Sequence, residues 1–251
     1  MKSTPSAGLA IRPNGHSPDS LMKRLVALVL FLTVLTARAD LANGIRAYNE
    51  GDEATAYREF NAAAEKGDAM GLHLLASLYY TGRGVKQDRV RAAELFTQAA
   101  AKGYRASQAN LGLMYQKGDG VPKDMAKAIS YFDAAAQQGD MKASFQLGQI
   151  YRKGEGVPVD LAKAAHYYKS GAERGDLPSA NEYGLLFADG PGHKDYVEAY
   201  AWLSYVAKSG NQDTAQDLAQ LEKLLGDKIG EAETRARAVE KLIRENRPAA
   251  P

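Results

Sequence analysis

A block of 36 residues recurs along this chain. Its clearest copy runs from 111 to 139, and the stretches 75–103 and 147–175 repeat its spacing of leucine, tyrosine, glycine and alanine. A fourth copy, 183–210, is one residue shorter in its loop. Self-similarity at a fixed period of this size is typical of stacked supersecondary units. The period therefore predicts a repeat fold before composition is considered.

Each copy predicts a hairpin of two helices, A and B. In the second copy Leu111, Met114 and Tyr115 recur at helical spacing and form the core face of helix A. Gly112 flanks that face, although a mid-helix glycine costs about 1 kcal/mol against alanine. We therefore expect a neighbouring helix to approach closely at Gly112 and its counterparts, which are Ala76, Gly148 and Gly184.

The loop between the two helices predicts a stiff turn. Gly118 suits the left-handed end of helix A, and Gly120 lets the chain reverse. Asp124 stands where a side-chain oxygen caps the first amides of helix B. The same roles fall to Gly82, Gly84 and Asp88, to Gly154, Gly156 and Asp160, and to Gly190 and Gly192.

The pattern LGxxYxxGxGVxxD, followed by paired alanines and a closing glycine, resembles the Sel1-like repeat family, a relative of the tetratricopeptide repeats. The resemblance covers about residues 41–210. It implies an all-α fold, a right-handed α-solenoid of stacked antiparallel helix pairs with the A helices lining the concave side. It also implies a binding scaffold, since members of the family generally act as scaffolds and share no single chemistry.

The period and its loss predict the domain limits. After residue 210 two amphipathic segments, one around Leu218–Leu225 and one from about Asp227, predict a C-terminal helical cap. The expected divisions are a leader and signal peptide (1–39), a repeat array (40–210) made of a half-repeat (40–70) and four repeats (71–106, 107–142, 143–178, 179–210), capping helices (211–246) and a disordered tail (247–251).

The N-terminal region has the parts of a secretory signal peptide. Lys23 and Arg24 precede an apolar run, 25–36, and Ala37-Arg38-Ala39 predicts cleavage after Ala39. An uncleaved anchor is the alternative, although the run is well short of the roughly 20 residues that span a bilayer. Translation starts at Met1 or Met22. The expected location is the periplasm or the medium, with no stable membrane insertion after cleavage.

Charge and cysteine usage narrow the function. The chain has no cysteine, which excludes disulfides and thiolate metal sites. Removal of residues 1–39 leaves 27 basic and 29 acidic residues, so the net charge changes from +2 to −2. Nucleic-acid binding thereby loses its electrostatic basis.

No constellation of residues indicates catalysis. The Gly-x-Gly loops join helices and lack the third glycine of a nucleotide loop. His73, His166 and His193 occupy unrelated positions in three repeats, and a metal site needs ligands that converge. We therefore predict no catalytic residue, cofactor or metal. An envelope enzyme acting on peptidoglycan or beta-lactams is the alternative, although the family members proposed as beta-lactamases are cysteine-rich.

The face of the A helices opposite the core differs from copy to copy. Positions that need not repeat for stacking are free to be specialised, and Leu113, Phe145 and Leu185 are apolar for an exposed ridge. Simple solvation is the alternative. Trp202 aligns with buried positions and is predicted to pack in the core. The predicted partner-binding residues are His73, Ser77, Tyr80, Leu113, Gln116, Phe145, Gln149, Arg152, Asn181 and Leu185.

Taken together, these sequence features predict a non-enzymatic scaffold or adaptor of the bacterial periplasm that holds a peptide or protein surface in its concave groove. Its process would be envelope regulation or assembly. A structural spacer whose exposed ridge meets a second copy remains a third possibility. The sequence leaves the partner and the oligomeric state open.

Overall fold

The computed structural model describes residues 22–23, 41–189 and 194–247, and these ranges contain helices and no strand. The chain divides into two compact units, residues 1–59 and 60–251. The predicted signal peptide, apart from positions 22–23, its predicted cleavage point and the fourth-repeat glycines Gly190 and Gly192 lie outside the described residues.

In the first unit, helix α1 is described over 41–50 and helix α2 (Glu53–Glu65) begins after a tight turn. The Asp52 Oδ1 atom accepts a hydrogen bond from the Thr55 amide at 3.0 Å and so caps α2. Leu41, Ala47 and Ala56 are buried. The short hairpin expected around Gly51 and Asp52 is thus present.

The second unit contains the hairpins predicted by the period. Up to residue 225, each helix packs on the next along the chain, which confirms the all-α solenoid of stacked helix pairs. The helices are α3 (Ala69–Thr81), α4 (Arg89–Ala101), α5 (Arg105–Lys117), α6 (Met125–Gln137), α7 (Met141–Lys153), α8 (Leu161–Ala172), α9 (Leu177–Asp189), α10 (Tyr196–Ala207), α11 (Gln212–Leu225) and α12 (Ile229–Asn246), with a 3-10 turn (Gly226–Lys228) before α12.

The loops have the predicted caps. Gly118 adopts a left-handed conformation (φ 75°) after α5, and its amide donates to the Met114 carbonyl. The Asp124 Oδ1 atom accepts from the Lys127 amide at 3.0 Å, which caps α6. Asp88 and Asp160 cap α4 and α8 in the same way. One loop geometry therefore recurs in three repeats because its glycines and aspartates recur.

Close helix contact explains the mid-helix glycines, as predicted. A Cβ atom added to Gly112 in α5 would lie 2.5 Å from Cδ1 of Phe132 in α6, and one added to Gly184 would lie 2.8 Å from Cγ of Leu203. The Tyr168 ring of α8 lies against Gly148 in the same way. Glycine has no side chain, so a large side chain of helix B can fill the space beside it. This packing offsets the poor helix propensity of glycine.

The last repeat is closed by the helices after residue 210. Trp202 of α10 is fully buried, which confirms that it packs in the core, and its indole donates to Glu198 Oε1 at 2.8 Å. Both α11 and α12 pack on α10, and they contact each other much less. Arg235 of α12 donates to Glu198 Oε2 from Nε at 2.6 Å. Leu221 is buried whereas Leu224 is 60% exposed, so only part of the leucine cluster faces the core.

Candidate functional site

The candidate site is the A-helix face, meaning the side of α3, α5, α7 and α9 that carries the ten predicted residues. Nine of them are half-buried, and Arg152 is exposed. Half-burial is more than a freely solvated ridge would show. The reason is that most of the polar members bond to the following repeat.

One row of the A-helix face links the first and the second repeat to the loop of the repeat that follows. The Tyr80 hydroxyl donates to Asp119 Oδ2 at 2.9 Å, and Arg89 donates to Oδ1 of the same carboxylate at 2.8 Å. Thirty-six residues later, Gln116 donates to Glu155 at 3.4 Å. These two polar pairs occupy equivalent positions, so they are a repeated clasp between neighbours.

Arg152 is the third member of this row and departs from the pattern. The residue that would match Asp119 and Glu155 is Pro191, which has no carboxylate and lies outside the described residues. Arg152 instead donates to Oε2 of Glu182 in α9, and Gln149 donates to Oε1 of that residue at 3.4 Å. The third clasp therefore joins helix to helix.

His73 is a packing residue between the first two repeats. Its Nδ1 atom lies 2.9 Å from the Ser107 hydroxyl, and its ring centre is 4.9 Å from that of Tyr104 and 5.4 Å from that of Phe96. Burial lowers the pKa of His73 to about 4, so the imidazole is neutral at pH 7. Ser77 donates back to the His73 carbonyl at 2.9 Å.

An open hollow on this face lies between α5 and α7 and is here called the front hollow. Its cavity volume is about 450 Å³. Leu113, Phe145, Phe132 and Ala109 form its apolar wall. Two of the predicted apolar residues, Leu113 and Phe145, thus lie in one concave surface, whereas Leu185 lies further along α9.

The polar lining of the front hollow was missed in the sequence. Asn110 of α5 and Gln146 of α7 stand at equivalent positions 36 residues apart, and Lys142 lies in the first turn of α7. Among the described residues, none of these three side chains has a hydrogen-bond or ion-pair partner. The sequence did contain a signal, because a side-chain amide recurs beside the apolar ridge, one residue along the helix from the predicted binding residues.

A second hollow, here called the rear hollow, lies beyond Phe145 among α7, α9 and the junction between α10 and α11. Its volume is about 270 Å³, and Phe145 and Pro178 line both hollows. Its polar side chains bond to neighbouring groups of the chain. Asn181 Oδ1 accepts from the Thr214 hydroxyl at 3.0 Å, and Asn211 caps α11 through the Thr214 amide at 3.1 Å. Glu182, also in this lining, is held by Arg152 and Gln149.

Other chemistry is sparse in the part of the chain that the structure describes. That part holds no group of three or more His, Asp or Glu side chains that could bind a metal ion. Nor does any helix there combine the length and apolar character needed to cross a bilayer. His166 is exposed, and His193 lies outside the described ranges.

Comparison with known proteins places the repeats. The Sel1 repeat profile matches residues 69–104, 105–140, 142–176 and 177–211. Each matched segment begins at or next to the first residue of an A helix, so the profile and the structure divide the chain in the same way. No curated protein sequence matches the chain with significance.

Two solved structures are similar over most of this chain. One is a protective antigen of uropathogenic Escherichia coli with an SLR fold, at 30% identity and a TM-score of 0.70, covering 83% of this chain and 46% of the antigen. The other is a Sel1 repeat protein from Oxalobacter formigenes, at 33% identity and a TM-score of 0.68, covering 74% of this chain and 55% of that protein. The chain thus spans about half the length of these structures.

Proposed function

This chain belongs to the Sel1 repeat family, whose members generally mediate protein–protein interaction, and we propose that it is a non-enzymatic scaffold or adaptor of the bacterial periplasm. It holds a peptide or a protein surface on its A-helix face and serves envelope regulation or assembly. The observation that carries the proposal is the front hollow, an apolar concavity in whose lining Asn110, Gln146 and Lys142 have no partner within the described chain.

The division of labour on the A-helix face supports this assignment. Tyr80, Gln116 and Arg152 are occupied by contacts to the next repeat, so they position the helices. Leu113 and Phe145 are not needed for any such clasp and form the wall of the hollow. A concave, mostly apolar surface with a few convergent polar groups is the usual form of a binding site.

Site-specific cross-linking tests the proposal. A photoreactive phenylalanine analogue replaces Leu113 in the full chain, and the matched control carries it at Ser130, an exposed position of α6. In the native host we expect one protein to cross-link at position 113 and not at 130, and then to bind the purified chain with a measurable Kd. Equal capture at both positions would remove the A-helix face from consideration, and no capture at either would count against a scaffold.

The location is proposed from the signal-peptide pattern of residues 22–39. Cell fractionation of the full chain, followed by N-terminal sequencing of the mature protein, tests it. The expected result is a periplasmic protein that begins at Asp40. A protein that stays with the membrane and retains Leu25 would instead indicate the anchor alternative.

A further inference from the structure

A cleft away from the A-helix face lies where the end of α12 passes the turn between α8 and α9, and it is here called the cap cleft. Its volume is about 400 Å³, within the roughly 300–1,000 Å³ of ordinary ligand pockets. Tyr205 and Lys208 lie on one side of it, and Ile243, Arg244 and Arg247 lie on the other. None of the ten predicted partner-binding residues lines this cleft.

The turn glycine Gly175 keeps a space open in the cap cleft. Its φ of 91° lies in the left-handed region, which disfavours any side chain at this position. A Cβ atom placed there would lie 3.5 Å from the Tyr205 hydroxyl oxygen, 3.7 Å from Arg247 Nε and 3.4 Å from Ile243 Cγ2. Two hydrogen-bonding groups and one apolar group thus surround the same small space.

Comparison with the turn at Gly67 shows which of these groups is ordinary. A Cβ atom at Gly67 would have only Lys102 of another turn within 4 Å, with its Nζ atom at 3.6 Å. Lys102 stands just before the next turn glycine, and Ser209, which has no charge, stands at that place in the fourth repeat. Arg247 therefore supplies at Gly175 the cation that Ser209 lacks. The tyrosine hydroxyl has no counterpart within 4 Å of Gly67.

The lining of the cap cleft has a net positive charge. Lys208, Arg244 and Arg247 are cations and Glu240 is the one acidic residue, so the net charge of the lining is +2. Glu240 pairs with Lys208. Within the described chain, neither arginine has a hydrogen-bond or ion-pair partner, and neither does the Tyr205 hydroxyl. Three donor groups are therefore available to a single anion.

The carboxylates close to the lining residues in the sequence do not offset this charge. None of them lines the cleft. Each has its own partner in the chain: Asp176 with the Ser179 amide at 2.9 Å, Glu173 with Lys169 at 3.8 Å, and Glu245 with Lys241 at 3.9 Å.

We infer that the cap cleft binds a small organic phosphate, that is, a phosphate monoester carried on an apolar group. The phosphate lies beside Gly175 and accepts hydrogen bonds from the two arginines and the tyrosine hydroxyl. The apolar group lies against Leu177 and Ile243. A phosphate monoester is close to a dianion at pH 7, which matches the charge of the lining, whereas one guanidinium already satisfies a carboxylate. The inference does not depend on the proposed scaffold function.

Calorimetric titration of the full chain with phenyl phosphate at low ionic strength tests the inference. We expect a Kd below about 1 mM, and at least about fivefold weaker binding of inorganic phosphate and of benzoate. Inorganic phosphate lacks the apolar group, and benzoate lacks the second charge. Arg244→Gln and Arg247→Gln should each raise Kd about tenfold, which is about 1.4 kcal/mol. Tyr205→Phe should raise it about threefold, because it removes one neutral hydrogen bond.

The matched control is Lys102→Gln, which removes a cation from the equivalent place at a distant turn. It should leave Kd unchanged within about twofold, because distant exposed charges are screened. Amide chemical shifts of the labelled protein locate the ligand, and the Gly175 and Arg247 amides should shift while the Gly67 amide does not. Circular dichroism confirms that each variant is folded.

The phosphate of phosphatidic acid has the same chemistry, so sedimentation with vesicles that contain this lipid forms a second arm. Binding to vesicles alone that Arg247→Gln abolishes would keep the phosphate site and assign its ligand to a lipid. Absence of binding in both arms, or an equal loss with Lys102→Gln, would overturn the inference. Inorganic phosphate that binds as tightly as phenyl phosphate would overturn the assignment of an organic ligand.

Discussion

The front and rear hollows share Phe145 as a wall, yet they differ in how much of their polar lining is bonded within the chain. In the rear hollow Glu182, Asn181 and Asn211 are all bonded within the described chain. In the front hollow Asn110, Gln146 and Lys142 are not. The difference teaches that concavity alone does not identify a binding surface in a repeat array, because a concave surface can be saturated by its own side chains. Four predictions test this contrast.

The largest effect is expected at Gly148, which lies on the same helix as Phe145, the wall that both hollows share. Gly148 lies against the Tyr168 ring, so Gly148→Val forces the two helices apart and should lower the free energy of unfolding by about 3 kcal/mol. Urea unfolding measures the change. Gly230→Ala is the control, since nothing lies within 4 Å of the added methyl group, and it should stabilise α12 by up to about 1 kcal/mol. Equal effects would mean that α7 and α8 do not pack closely.

The next effect concerns another side chain that is bonded within the chain, His73 of α3, which contacts α5. The folded-state pKa of about 4 lies below the ordinary value of 6.5, so the unfolded chain binds more protons between these two values. The contribution of His73 to the free energy of unfolding is fully present above pH 6.5. It declines as the pH falls towards 4, by about 2 kcal/mol after allowance for the partial exposure of the ring. Unfolding at pH 7 and at pH 4.5 should show a smaller decline in His73→Asn. An equal decline in both proteins would assign the acid sensitivity to other groups.

A direct comparison of the hollows should give a smaller difference. Glu182→Ala removes the acceptor of Arg152 and Gln149 and should cost about 1.5 kcal/mol of stability. Asn110→Ala removes no internal bond, and alanine favours the helix, so its effect should stay within about 0.5 kcal/mol. Thermal unfolding of the pair decides the matter. Similar losses would show that the front hollow is as self-contained as the rear one.

The smallest effect is a gain in stability when the hydroxyl group of Tyr168 is removed. The Tyr168 hydroxyl is buried and has no hydrogen-bond partner among the described residues, and burial raises its pKa to about 12. The first two repeats carry Phe96 and Phe132 at this position. Tyr168→Phe should therefore raise the free energy of unfolding by about 1 kcal/mol. A loss of stability would mean that the hydroxyl is bonded in solution.

The architecture was predictable because the helix caps and the close helix contact of a repeat each lie within one hairpin. The left-handed Gly118, the cap Asp124 and the mid-helix Gly112 act within one hairpin, and the 36-residue period shows each of them several times. Comparison between copies separates such framework positions from the rest. The sequence therefore predicted the helix pairs, their loops and the close contact at Gly112.

The candidate site was only partly predictable, for a geometric reason. Helical spacing tells which way a side chain points but not what stands opposite it in the next repeat. Tyr80 and Gln116 point away from their own core, as expected, and then meet Asp119 and Glu155, which are 39 residues further along. The same limit hid Asn110, whose lack of a partner is visible only once all its neighbours are placed. Partner binding by the ten predicted residues stays a prediction.

The two glycines that lie against an aromatic ring, Gly112 and Gly148, also bear on how such an array can change over time. A new side chain at Gly112 requires a smaller residue in place of Phe132, so two distant codons would have to alter together. Copying a whole 36-residue module carries both members of the pair along. Arrays of this kind should therefore grow or shrink by entire modules more readily than any single module can drift in its interior.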